Sequence, residues 1–250
     1  MIVLMQAVVM AGGEGRRLRP ITASIPKPLV ALGEMSVLEL LLHQLRFYGF
    51  EEAILCVGHQ ADLVMAVVGD GRQFGLDVRF HHECEPRGTV GALADVVDWL
   101  DDSFLLMNGD LCTDLDYGNL LAYHRTRKSA STVATFRREE RLELGVLELD
   151  PSESHLVGFH EKPLRHYWVA MGINAFDRNV VDLIPTDDPF GFDHLMGAML
   201  EAERPVGTYH HQGFWLDIGR PDDYERILDQ LPALRRNLFP WEQHLPPRGT

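Results

Sequence analysis

The chain has 250 residues, 46% of them hydrophobic, enough for one large α/β domain or one domain with a small lobe. Its formal net charge of −14 argues against nucleic acid as a partner, though not against small anions, which respond to the local field of a cleft. The sequence has no apolar run of about 18 residues, so no membrane span is expected, and its three cysteines, without C-x-x-C spacing, suit a reduced, cytoplasmic setting.

The near-continuous apolar run Val3–Ala11 predicts a strand buried on both faces. Gln6 interrupts it and no basic segment precedes it, so it reads as a strand and not as a signal peptide. Ser36 and Glu39 have capping-box spacing, Leu38, Leu41, Leu42 and Leu45 mark a helical face, and Gly49 suits the position after a helix end. Strands are predicted at Ala53–Val57 and Val78–His82, a helix over Ala92–Leu100, and a central strand at Phe104–Met107 that ends in Asn108-Gly109-Asp110. This β-α-β-α rhythm predicts a Rossmann-like α/β fold: a mixed, mainly parallel sheet flanked by helices, with ligands beyond the carboxyl ends of the strands.

The second half changes character. Ser131–Arg137, Leu144–Leu149 and Val169–Phe176 read as strands of an antiparallel or mixed extension, a smaller lobe or lid. Helices are predicted at Leu195–Leu200 and Asp223–Leu228, and loops at Phe190-Gly191 and Gly213. A boundary is expected between residues 230 and 231; the tail 231–250, rich in Pro and Arg, reads as disordered or as packed on a partner subunit.

The segment after the first strand, Gly12-Gly13-Glu14-Gly15-Arg16-Arg17-Leu18-Arg19-Pro20, with Lys27 beyond it, is a basic knot in an acidic chain. Its glycines let the backbone approach a ligand, its N–H groups form an anion-binding concavity, and its cations suit phosphate. A solvated Gly-rich loop with scattered arginines is the plainer alternative. A P-loop is excluded, because no Gly-Lys-Ser/Thr occurs. A dinucleotide fingerprint begins at Gly13-Glu14-Gly15 but has Leu18 where its third glycine belongs.

GGEGRRLRPIT followed by PKPL resembles the signature of the sugar-1-phosphate nucleotidyltransferases, in particular the mannose- and heptose-1-phosphate guanylyltransferases. The resemblance continues at five later places and spans nearly the whole chain. It implies that residues 1–230 are a nucleotidyltransferase domain with a smaller sugar-binding lobe, joining an NTP to a sugar 1-phosphate with release of pyrophosphate. It also implies a homo-oligomer. Met10, Ala11, Gly12, Gly13, Gly15, Arg16 and Arg17 would hold the nucleotide, with Arg17 and Lys27 as the phosphate-binding cations; Arg16 stands where the family usually has Thr. Asp110, after Asn108-Gly109, and Asp217, in Trp215-Leu216-Asp217-Ile218-Gly219, match the family's Mg²⁺ ligands. Two carboxylates plus phosphate oxygens suit that ion. Arg17, Lys27 and Asp110 are then the catalytic set. Taken alone, Asp110 also reads as a turn aspartate. Asp114 and Asp116 read as surface or helix-entry residues.

Glu161 and Lys162 match the family's E-K-P, for sugar hydroxyls and sugar phosphate; Gly145, Gly172 and Asn174 match positions where the sugar meets the chain. Residue by residue, an exposed ion pair explains the first two and a β-bulge the glycine at 145. Base choice turns on Glu83, with Gly88 and Thr89 in the following loop. A Gln there would offer uracil one donor and one acceptor, whereas a carboxylate only accepts and matches the paired N1–H and N2–H₂ donors of guanine. GTP is the expected substrate. A uridylyl- or thymidylyltransferase, or a regulatory subunit that binds nucleotide-sugar without catalysis, are the alternatives. The adjacent pairs His81-His82 and His210-His211 point to opposite faces of a strand and do not chelate.

Overall fold

A computed structural model describes residues 5–244. In chain order its elements are β1 (Gln6–Ala11), β2 (Ala31–Leu32), β3 (Met35–Ser36), α1 (Val37–Phe47), β4 (Glu52–Val57), α2 (Ala61–Val68), β5 (Asp77–His82), α3 (Ala92–Asp95), β6 (Ser103–Asn108), β7 (Leu111–Thr113), α4 (Tyr117–Arg125), β8 (Ser131–Arg141), β9 (Val146–Leu149), β10 (Leu156–His160), β11 (Leu164–Asp177), α5 (Phe192–Glu201), β12 (Val206–His211), β13 (Trp215–Asp217) and α6 (Pro221–Leu238). The expected start of the first strand at Val3, and the tail beyond His244, lie outside the described residues.

Seven strands form one sheet in the order β12-β8-β11-β6-β1-β4-β5. Only β11 runs against its neighbours; every other pairing in this sheet is parallel. The expected α/β architecture is therefore present. β1 is buried on both faces, as its apolar run requires. Val9 and Ala11 pack with Leu38, Leu41 and Val64 on one side, and Val8 packs with Leu93, Phe104 and Leu195 on the other. The capping box forms, with the Ser36 N–H donating to Glu39 Oε2 at 2.7 Å and the Glu39 N–H to Ser36 Oγ at 3.2 Å.

Four expectations change. The helix expected over Ala92–Leu100 is α3 followed by a 3₁₀ turn at Val97–Trp99. Val96, with φ −108 and ψ 10, leaves the helical region, yet Leu93, Val96 and Leu100 are buried as the pattern required. The second lobe is an arm: β8 and β11 run past the sheet edge and carry the small β9–β10 pair. Its residues 137–170 include none that is buried. The helix expected at Asp223–Leu228 is α6, which runs unbroken through residue 231. Finally, the first part of the tail packs on its own chain. Leu231, Leu238 and Phe239 are buried with Leu18, Leu40 and Leu216, and Gln44 Nε2 donates to the Leu238 carbonyl at 2.9 Å.

Candidate active site

The carboxyl ends of β1, β4, β5 and β6 lie along one edge of the sheet, and the loops that leave them enclose a cavity of about 730 Å³. Met10, Ala11, Gly12, Gly13, Gly15, Arg16, Arg17, Lys27, Glu83, Gly88, Thr89, Asp110 and Asp217 all line it. The sequence therefore placed its nucleotide and metal candidates in one space. Gly15 sits at φ +62, in the left-handed region. Thr22 Oγ1 donates to its carbonyl at 2.8 Å, and a Cβ there would come within 3.0 Å of Lys27. Arg16 is exposed, its guanidinium is held by Glu14 at 3.0 Å, and the residue lines the cavity.

At the cavity floor, the Lys27 ammonium forms an ion pair with Asp110 and reaches Asp217 Oδ1 at 3.7 Å. Asp217 arrives from a distant part of the chain because β13 pairs antiparallel with β7, which sets Asp217 opposite Leu111. Burial pushes the Asp217 carboxyl above the ordinary carboxylate range, and the nearby Asp110 adds to this; Lys27 and Arg17 oppose it. Asp110 Oδ1 and Asp217 Oδ1 are both buried without a hydrogen-bond partner. Such orphaned acidic oxygens are costly unless something binds them, and hard oxygen donors fit Mg²⁺. Among the described residues no group of three or more metal-binding side chains gathers, so the remaining positions would fall to substrate oxygens and water.

Asp114 is not a surface residue. Its carboxylate, 13% exposed, accepts from the Phe214 N–H at 2.6 Å, His211 Nε2 at 2.9 Å and Asn237 Nδ2 at 3.0 Å. Burial alone would raise its pKa; these three donors outweigh it and hold it below the ordinary value. They fix the turn that leads into β13 and hence into Asp217. Asp116 is a helix-entry residue as expected, its Oδ1 accepting from Asn119 N–H at 2.8 Å.

Glu83 leaves the end of β5. Its Oε2 accepts from the Arg87 N–H at 3.1 Å, and its Oε1 lies against Gly12, where an added Cβ would come within 2.6 Å. Burial raises its pKa above the ordinary range. The following loop is tied to the segment before α5: Phe190 N–H donates to Arg87 O at 2.9 Å and Phe192 N–H to Thr89 Oγ1 at 2.8 Å.

A second cavity of about 230 Å³ adjoins the first, sharing Thr89, Asn108 and Asp217 with it. Gly172 and Asn174 line it, with Phe192 and Trp215. Gly172 adopts φ +74 and a Cβ there would meet Asn108 Nδ2 at 2.7 Å. Asn174 is 3% exposed and its Oδ1 has no partner. Gly145, Glu161 and Lys162 are elsewhere, on the exposed arm. A Cβ on Gly145 would approach Glu161 Oε2 at 3.4 Å, Lys162 pairs with Glu143 at 3.2 Å, and none of the three lines either cavity. The sequence reading missed Asn108 and Trp215. The Asn-Gly pair at the end of β6 was a signal for the first; the second is held by its indole N–H, which donates to Met171 O at 2.9 Å.

A Rossmann-like sheet thus carries a glycine-lined cavity with a buried lysine and two converging carboxylates. Residues 6–233 match the family described as Nucleotidyl transferase, and the chain belongs to that family of enzymes. It is 32% identical over 243 residues to mannose-1-phosphate guanylyltransferase of Mycobacterium tuberculosis, covering 92% of this chain and 67% of that protein. It is 28% identical over 239 residues to UTP–glucose-1-phosphate uridylyltransferase of Synechocystis sp., covering 88% of this chain and 61% of that protein. In fold it resembles crystalline HddC from Yersinia pseudotuberculosis complexed with GMP-PN, with a TM-score of 0.70 at 23% identity over 91% of this chain and 100% of that one. Among the described residues no helix is long and apolar enough to cross a membrane.

Proposed function

We propose that this chain transfers a nucleotidyl group from GTP to a sugar 1-phosphate, releasing pyrophosphate. The observation that carries the reading is the convergence of Lys27, Asp110 and Asp217 in the larger cavity, with Asp217 shared by the smaller one. Asp110 Oδ1 is buried there without a partner, and Asp217 Oδ1 is buried without a hydrogen bond, 3.7 Å from the Lys27 ammonium. The larger cavity takes the nucleotide and the smaller one the sugar. A sugar-phosphate oxygen attacks the α-phosphorus in line, the bond to the β-phosphate oxygen breaks, and pyrophosphate leaves. A phosphate monoester is already ionised near neutral pH, so no general base is required. Holding two polyanions together is most of the task. Lys27, Arg17 and the N–H groups of the glycine loop neutralise and align the phosphates. Mg²⁺, held by Asp110 and Asp217, would withdraw charge from the reacting phosphate oxygens. In this reading Gly172 and Asn174 meet the sugar, and Glu161 and Lys162 reach the sugar phosphate through movement of the arm.

Guanine is favoured by the carboxylate at position 83, which accepts from two adjacent donors, and by the guanylyltransferase relative. One observation favours a second reading. A uridylyltransferase is also among its relatives, at 28% identity over 239 residues, which makes UTP or dTTP the alternative. Pyrophosphate release with Mg²⁺, measured with GTP, UTP, dTTP, CTP and ATP against a panel of sugar 1-phosphates, separates them. GTP is expected to be used best. Preference for UTP or dTTP would replace the guanine reading. No release from any pair, with nucleotide-sugar still bound, would make the chain a regulatory binder.

A further inference from the structure

Asp95 ends α3, outside the wall of the nucleotide cavity. One of its oxygens, Oδ2, lies 3.2 Å from His81 Nε2 and 3.6 Å from Arg87 Nε. His81 sits two residues before Glu83 and on the same side of the chain. Arg87 gives its backbone N–H to Glu83 Oε2, while its guanidinium meets Asp95 and, at 3.5 Å, the Pro185 carbonyl. The Arg87 side chain is only 16% exposed, and neither its Nε nor His81 Nε2 has an aligned hydrogen bond. The Arg87 guanidinium is thus held by Asp95 and the Pro185 carbonyl, with the Asp95 carboxylate as its ionic partner.

The arrangement matters because Glu83 is itself a carboxylate within reach of the same arginine. An arginine fork binds a carboxylate in a two-pronged, charge-assisted fashion, and that would occupy the oxygens with which Glu83 meets a base. We propose that Asp95 is a specificity-determining positioning residue, which keeps the Arg87 guanidinium off Glu83 so that the Glu83 carboxylate stays open to the nucleobase. The inference rests on Glu83 as the base-reading group, whichever base that is. Without the charge at position 95, Arg87 turns to Glu83 and base discrimination falls.

The test compares kcat/KM for the NTP panel in wild type, Asp95→Asn, Arg87→Gln and the double variant, with a melting curve for each. The wild-type preference reports separately on the guanine reading. Asp95→Asn is expected to lower the ratio between the preferred NTP and the next by about tenfold or more, through KM for the nucleotide, with KM for the sugar phosphate unchanged. Removing the competing guanidinium in the double variant restores the ratio, which loss of a merely structural contact would not do. Arg87→Gln alone, which keeps the backbone N–H, retains the ratio and decides the matter if Asp95→Asn does not fold. An unchanged ratio in Asp95→Asn, no recovery in the double variant, or a lost ratio in Arg87→Gln would each overturn the inference.

Discussion

Lys27 and Asp110 stand 83 residues apart in sequence and form an ion pair in the larger cavity, with Asp217 Oδ1 3.7 Å from the same ammonium. One cation thus serves two carboxylates. It partly offsets the repulsion between them, which with burial still leaves the Asp217 carboxyl above the ordinary range.

The two sides of this arrangement respond differently to mutation. Lys27→Met leaves the Asp110 and half-buried Asp217 carboxylates without their shared cation and is expected to lower the melting temperature as well as activity. Asp110→Asn removes one of the like charges and leaves Lys27 to Asp217, so the fold keeps or gains stability. Pyrophosphate release should fall about a hundred- to a thousandfold in either variant, the usual effect of removing one electrostatic contact to the reacting group. Full activity in either variant contradicts the proposed chemistry; a melting temperature that drops in Asp110→Asn contradicts the account of the charges.

Glu83→Gln tests base reading directly. The amide supplies one donor and one acceptor in nearly the same shape, and it still accepts from the Arg87 N–H. GTP use should fall by about tenfold or more while UTP and dTTP use rises. A uniform loss across all five nucleotides would show that Glu83 shapes the cavity without reading the base.

The lining of the larger cavity was legible because much of it is consecutive in sequence. A glycine loop after a buried strand and Asp110 after Asn108-Gly109 fall at adjacent strand ends as soon as the sheet is parallel. Asp217 was reachable only by resemblance, since nothing local says that the three residues of β13 will pair with β7. Asp114 was misread for the same reason. Its three donors come from positions 211, 214 and 237, about a hundred residues or more away. Of the arm only the strand at Leu144–Leu149 was seen and β10 was missed, and alternation of apolar and polar residues cannot reveal that Leu147, Val157 and Phe159 stay exposed.

The boundary expected at residue 230 cuts through α6, and this has a measurable consequence. A chain ending at Gln230 loses Leu231, Leu238 and Phe239, each buried at 8% exposure or less. Burial of one such side chain is worth about 1.5–3 kcal/mol, so together they form a large share of an ordinary domain stability of about 5–15 kcal/mol. Truncation also strips Gln44 of its bond to Leu238 O and His43 of the stacked Trp241 ring, 5.0 Å away. The truncated chain is expected to be insoluble or to melt well below the full chain. Equal melting curves would show that residues 1–230 fold independently of the tail.

His124 sets a pH dependence that is separate from the active site. Its side chain is 1% exposed between α4 and β8, with Nδ1 2.9 Å from Thr132 Oγ1 and Nε2 3.2 Å from Asp177 Oδ1. Burial lowers its pKa below the ordinary 6.5, an effect that Asp177 only partly opposes; burial lowers His43 likewise. In the window from the lowered value up to 6.5, the unfolded chain therefore binds more protons than the folded one. Stability rises with pH across that window and is lost as the pH falls through it. In urea unfolding at about pH 5 and about pH 7.5, His124 adds to the midpoint at the upper value relative to the lower, against the opposite contribution of the raised Glu83 and Asp217 carboxyls. His124→Asn removes one titrating group and should take its contribution out of the difference between the two midpoints even though it lowers both. A difference that survives intact in the variant would assign the pH dependence to other groups, His43 first among them.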